Sequence, residues 1–320
     1  MNARLVGFAL LSALAAGSLA VAGCSSGSPS AAGALPNAAH PLSGSGGPYV
    51  VACEGASFGG SPFCDVFSSS GESLYSLPDT TEPGGSKVFQ EQLWLANTTE
   101  SESNAQVYTV NASEATLEKS YQDTYGYAED VAIFAKGKGS KETTTVAISN
   151  SSDFKGEELP SVTVLDVSTG TSKNLKDPNA TNGEQIAFDS KGNCVWMTDS
   201  GSTIDFFKKC AGKPTYITPD MGGPGAGVAL DQNNNLWYSS TENGWVTECQ
   251  GETYSCTRIF DLVDPLFINF DSTYSNLYVA VGPSGNPGSS IQKCSISAQS
   301  CTTFATPINS NYYFYSVSSF

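Results

Sequence analysis

The stretch VALDQNNNLWYSSTENGWVTEC, residues 228–249, is the key to the rest of the chain. It opens with an apolar trio, turns on an Asp followed by polar residues, and resumes with Leu-Trp-Tyr. A second polar turn then leads into an alternating run that ends at Cys249. An Asp that leads a tight turn accepts hydrogen bonds from amides just downstream, so this residue type at this place is a backbone device. Reading outward, IAFDSKGNCVWMTDSGSTIDFFKKC (186–210) and INFDSTYSNLYVAVGPSGNPGSSIQKC (268–294) repeat the pattern. Asp189, Asp231 and Asp271 anchor the three copies at a spacing of roughly 40 residues, the period of a propeller blade. Their predicted role is structural, not catalytic.

Weaker copies precede these three. Residues 131–134, 145–149 and 162–167 supply one set of strands, and 93–96 with 107–110 another. Residues 49–53, 63–67 and 73–77 read as three strands of a blade that lacks its first. The aromatic run 312–317 (YYFYSV) is the candidate for the missing one, because joining both ends in one blade removes the exposed sheet edges. No segment carries a long 3.6-residue period, so helices are expected to be scarce. The prediction is an all-β, six-bladed propeller of four-stranded antiparallel blades spanning 48–320, its first blade closed by the C-terminal strand. The terminal aromatic Phe320 is also a feature of outer-membrane barrels, but a turn-punctuated 40-residue period does not fit one.

The run ITPDMGGPGAGVALDQNNNLWYSS, 217–240, resembles repeats of NHL-type propellers, streptogramin-lyase-like proteins and the gluconolactonase (regucalcin-like) family. The shared pattern is Gly, an apolar trio, Asp, a polar turn, then Leu-Trp. It recurs well in about a third of the chain and loosely in the rest. Propellers host unrelated functions, so the resemblance implies fold before chemistry. Streptogramin lyases require a blade histidine, and no blade here has one. Gluconolactonase-like enzymes hold a divalent metal with acidic and Asn ligands at the channel mouth. Counting back from the Asp-turn position gives Asp130, Glu184, Ala226 and Leu266 in successive blades, with Asn182 a third oxygen ligand. Calcium or another divalent ion on Asp130, Glu184 and Asn182 is the one cofactor this resemblance implies. The alternative reading makes them solvated loop carboxylates of an acidic chain, with no cofactor.

The N-terminal segment is read separately. Residues 1–23 carry a short charged start and an apolar stretch too short to span a membrane, ending in Val-Ala-Gly before Cys24. This resembles the lipobox of bacterial lipoproteins, which implies cleavage before Cys24, a diacylglycerol on its thiol and acylation of its amine. Several acyl chains anchor stably where one does not. Residues 24–47 then hold the lipidated Cys and a Ser/Gly/Pro linker of roughly 25–30 Å reach. The only histidine, His40, lies in that linker.

Composition narrows the remaining choices. With 15 Lys+Arg against 31 Asp+Glu the net charge is −16, which argues against nucleic acid as a partner. A single His removes most hydrolase triads and zinc ligand sets. Of nine cysteines, Cys24 is assigned to lipid and eight remain, a disulfide framework for an exported chain. Sequence proximity predicts Cys53–Cys64, Cys194–Cys210, Cys249–Cys256 and Cys294–Cys301. Trp94, Trp196, Trp237 and Trp245 read mostly as packing between sheets. The functional expectation is a lipid-anchored, extracytoplasmic cell-envelope protein at the outer membrane or cell surface. It is expected to be a monomer that binds or scaffolds a protein, peptide or glycan without catalysis. The rival is a lactonase-like, divalent-metal hydrolase.

Overall fold

Short apolar and aromatic runs bounded by Gly, Asp, Asn and Ser can bury themselves only as strands of packed sheets. The computed structural model describes residues 49–56, 61–99, 102–137, 142–154, 159–198, 203–219, 225–250, 254–284, 289–307 and 312–320. Residues 1–23, Cys24, the linker and His40 lie outside the described residues. Blade 1 contributes β1 (Val50–Ala56), β2 (Phe63–Phe67) and β3 (Ser73–Ser76). Blade 2 is β4 (Glu82–Phe89), β5 (Gln92–Thr98), β6 (Ser103–Val110) and β7 (Ala115–Asp123). Blade 3 is β8 (Ala128–Lys136), β9 (Thr143–Asn150), β10 (Ser161–Asp166) and β11 (Thr171–Lys176). Blade 4 is β12 (Gly183–Phe188), β13 (Cys194–Thr198), β14 (Ile204–Phe207) and β15 (Thr215–Ile217). Blade 5 is β16 (Gly225–Leu230), β17 (Leu236–Ser240), β18 (Trp245–Gln250) and β19 (Ser255–Asp261). Blade 6 is β20 (Pro265–Phe270), β21 (Asn276–Val281), β22 (Ser290–Ser295) and β23 (Ser300–Ala305). The last strand, β24 (Tyr312–Ser319), returns to blade 1.

Every blade is a four-stranded antiparallel sheet, and in blade 1 the order is β24-β1-β2-β3. The innermost strands β24, β4, β8, β12, β16 and β20 neighbour one another in a closed ring. The chain is therefore a six-bladed propeller sealed by its C-terminal strand, as the repeat predicts. Its core lies between blades. In one such layer Trp196, Ile186 and Phe207 of blade 4 meet Val162, Val164 and Leu175 of blade 3. Full burial of each large apolar side chain contributes roughly 1.5–3 kcal/mol. Trp94, Trp196 and Trp237 are buried in these layers, whereas Trp245 is half-buried with the Arg258 guanidinium 4.7 Å above its ring.

The four expected disulfides are present, Cys53–Cys64, Cys194–Cys210, Cys249–Cys256 and Cys294–Cys301, each within one blade. The Asp-led turns also behave as read. Asp231 Oδ1 accepts from the Asn233 and Asn235 amides, both at 2.8 Å, and its Oδ2 accepts from Asn235 Nδ2 at 2.9 Å. Asp189 with Asn193 and Asp271 with Asn276 build the same brace.

Strand direction separates two faces. One, the turn face, carries the connections from first to second and third to fourth strands. The other, the link face, carries the second-to-third loops and the links between blades. Connections on the link face run to stretches such as 151–160 and 282–289, while most on the turn face are five residues or fewer. The chain enters β1 on the turn face, where the Phe320 amide donates to the Tyr49 carbonyl at 2.9 Å.

Candidate functional site

The innermost strand of a blade has a free edge, so its backbone groups near the axis need partners. Each inner strand is irregular near its link-face end, with register shifts between Pro83/Ser86, Ala128/Asp130, Gly183/Ile186, Gly225/Val228 and Pro265/Ile268. Side chains from neighbouring blades satisfy the amides so released. Asp130 Oδ1 accepts from the Val131 amide at 2.7 Å and Oδ2 from the Ile186 amide of the next blade at 2.8 Å. Gln185 repeats this one blade further on, Oε1 accepting from the Val228 amide at 2.6 Å and Nε2 donating to the Ile268 carbonyl at 3.3 Å. Glycine makes room for both: a Cβ on Gly85 would lie 1.7 Å from Asp130 Oδ1, and one on Gly227 3.1 Å from Gln185 Oε1. Asp130, Gln185, Phe267 and Tyr315 are all fully buried, and the Tyr315 hydroxyl donates to the Pro83 carbonyl. The axis at this level is packed with side chains.

This packing gives the candidate metal ligands their places. Asp130 is engaged by two backbone amides, and its register counterpart in blade 4 is Gln185, not Glu184. The count back from the Asp turn is one residue out because β8 has no Asp turn to count from: Phe134, not Ala135, holds the register place of Asp189. Glu184 instead accepts from Asn182 Nδ2 at 2.6 Å. Among the described residues no group of three or more His, Cys, Asp or Glu side chains is arranged to hold a metal ion. Beside Asp130, on β4, Lys87 is 3% exposed. Burial pulls its ammonium down to about 7, with the Asp130 charge opposing the shift.

The link face carries the exposed chemistry. Tyr127 and Phe154 meet edge to face at 4.9 Å, as do Phe63 and Tyr312 at 5.1 Å. Trp245, beneath Arg258, opens β18 on the same face. Leu159 and Val263 are exposed there, and Tyr216 is 50% exposed. The Tyr216 ring is held at its hydroxyl, which accepts from Asn179 Nδ2 at 2.9 Å and donates to Asp177 Oδ1 at 3.1 Å. Beneath it lies Asp205, fully buried, with its carboxyl pushed up to about 8 by burial and then by Asp177. The turn face carries clefts between its Asp-led turns. One, of about 330 Å³, is lined by Asp231, Asn235, Trp237, Glu248 and Tyr274. Asn235 Nδ2 there donates to both Asp231 and Glu248, whereas the buried Trp237 Nε1 has no hydrogen-bond partner.

Sequence reasoning singled out neither Asp177, Asp205 and Tyr216 nor Gln185 and Lys87. A signal for the first was present: an Asp recurs at or near the start of three successive links, at 79, 123 and 177. Its partner comes from a strand about 30 residues further on, which a repeat seen one blade at a time does not reveal.

No family model and no curated protein matches the chain. Among solved structures, a chain of the nidogen/laminin complex is similar over 85% of this chain and 98% of its own, at 13% identity and a TM-score of 0.64. A catalytically inactive virginiamycin B lyase from Staphylococcus aureus, solved with quinupristin, is similar over 71% of each chain at 15% identity and a TM-score of 0.49. What the chain shares with the first of these is the fold: a propeller ring, on which this sequence sets its own link-face residues.

Proposed function

We propose that the chain is a non-catalytic binding or scaffold propeller, tethered outside the cytoplasm by lipid on Cys24, that presents its link face to a protein, peptide or glycan. The observation that carries this reading is the opposition of the two faces. The chain enters the ring at Tyr49 on the turn face, while Tyr216, Trp245, Tyr127 and Phe154 gather on the other. A tether leaving the turn face directs the aromatic face away from the membrane. Aromatic side chains on long loops over a rigid scaffold are the usual means of gripping sugars and peptides. The filled axis supports binding at the rim in preference to chemistry in a channel.

The test uses the purified full-length chain on glycan and peptide arrays. Binding is expected to fall at least tenfold in Tyr216→Ala with Trp245→Ala and to be unchanged in the turn-face variant Lys191→Ala. Binding unaffected by the rim pair would refute the assignment. Hydrolysis of lactones, lost in Asp130→Asn and dependent on calcium, would favour the metal-hydrolase alternative. For the tether, fatty-acid labelling and membrane fractionation are expected to fail in Cys24→Ala.

A further inference from the structure

The third strands of five blades provide an internal comparison. Gln106, Thr163, Asp205, Thr247 and Gln292 occupy the same register position, opposite Leu95, Ile148, Trp196, Tyr238 and Val279 respectively. Four of these five side chains can donate a hydrogen bond. In blade 2, Gln106 Nε2 donates to the Asp79 carbonyl at 3.2 Å, and in blade 3, Thr163 Oγ1 donates to Asp123 Oδ1 at 2.9 Å. Blade 4 alone puts an acid there, and it faces the acid of the link, Asp177. Asp205 is 0% and Asp177 2% exposed. With both ionised, Asp205 Oδ1 and Oδ2 and Asp177 Oδ2 are buried without a donor. Two carboxylates so placed repel and lack solvation, and one proton between them relieves both costs.

We infer that Asp177 and Asp205 share one proton and act as a latch between blades 3 and 4, holding Tyr216 on the link face while the proton is bound. The mechanical link is direct. Asp177 Oδ1 accepts from the Tyr216 hydroxyl and from the Asn179 amide, the latter at 3.0 Å, so the acid that meets Asp205 also positions the rim tyrosine. Tyr216 pairs with Asp205 across β14 and β15. Among the described residues, the groups around Asp205 offer no compensating cation. The link supplies Asp177, β15 supplies Tyr216, and β13 supplies Trp196, whose Nε1 is spent on Ser149 Oγ at 2.7 Å. From blade 3, Asp123 is engaged by Thr163 and the Tyr125 amide. The raised Asp205 carboxyl, about 8, agrees with a proton retained at neutrality. A carboxyl freed by opening ionises near its ordinary value. Closure therefore weakens as pH climbs from about 4 towards 8 and levels off beyond. The consequence for ligand binding rests on the function proposed above; the latch itself does not.

The experiment is hydrogen exchange by mass spectrometry on the full-length chain at pH 5 and pH 8.5, without ligand and corrected for intrinsic exchange. Peptides covering 177–182 and 215–217 are expected to exchange at least tenfold faster at the higher pH. In Asp205→Asn, whose carboxamide donates to Asp177 as the protonated acid does, that difference is expected to vanish. Asp177→Asn supplies the donor from the other side and keeps the test open if the first variant does not fold. Equal pH dependence in wild type and both variants would overturn the latch. So would calcium raising the wild-type Tm and slowing exchange at these peptides, which would make the pair a cation site. Retained latch behaviour with no loss of array binding in Tyr216→Ala would leave the latch standing and remove the rim function.

Discussion

Glu54 on β1 illustrates what a single carboxyl costs in this ring. It is fully buried, neither side-chain oxygen has a hydrogen-bond partner, and burial followed by the Asp65 charge pushes it from 4.5 up to about 8. Between those values the folded chain holds a proton that the unfolded chain has released, so stability falls as pH rises. Glu54→Gln is therefore expected to match wild type at pH 4 and to exceed it by a few kcal/mol at pH 8, read by urea denaturation. Lys87 has the opposite sign. Its folded value of about 7 lies below the ordinary 10.5, so the penalty is complete below pH 7 and fades as pH rises towards 10.5. Blades 3, 4 and 5 put Ala132, Ala187 and Ala229 in its place. Relative to wild type, Lys87→Met is expected to be more stable at pH 6 than at pH 10 by about 2–4 kcal/mol, in the same denaturation series. Neither residue declares itself in sequence. A lone Glu or Lys in an alternating strand reads as solvent-facing until the next blade is known to cover it.

Among the elements, the regular middle strands were legible and the inner and outer ones less so. Leu236–Ser240 and Asn276–Val281 are apolar, aromatic and bounded by Asp-led turns, so pattern alone places them. The strand Glu82–Phe89, EPGGSKVF, hides because its Gly pair admits Asp130 and its Lys is buried, leaving little alternation. Thr215–Ile217 is too short to show a period. Asp130 was legible as a carboxylate near the axis, but its partner amide is on Ile186, a blade away, and that contact makes it a brace. Cysteine spacing, by contrast, is a local signal. Cys294 and Cys301 face each other across β22 and β23 around a tight turn. Closing so short a loop contributes about 2–3 kcal/mol by chain entropy. Replacing both by Ser is expected to lower the Tm by several degrees at unchanged far-ultraviolet circular dichroism, since the hairpin keeps its ladder.

At the scale of the whole molecule, the seam decides whether there is a ring at all. Strand β24 pairs with β1 over seven residue pairs, from Val50↔Ser319 to Ala56↔Tyr312, and it also packs against β4 and β20. Phe314, Tyr315 and Val317 are fully buried in the cluster shared by blades 6, 1 and 2. A chain ending at 311 loses that strand and exposes the inner edge of β1 and an aromatic layer. It is expected to lose its cooperative thermal transition and to elute as aggregate on gel filtration; a sharp transition in the truncated chain would mean that five whole blades suffice.

The same seam sets a timetable. Three of the four disulfides close within the last half of the chain, and all four join residues no more than 16 apart, so each needs only its own hairpin and an oxidising compartment to form. Blade 1 is begun before the other five and finished after them, because its inner strand, β24, follows all of their strands in the chain. Until then β1 waits with one edge unpaired while five other blades assemble beside it. Until β24 arrives, a chain of this protein carries the open edge of β1, and a chaperone that binds unpaired strand edges has a defined place to act.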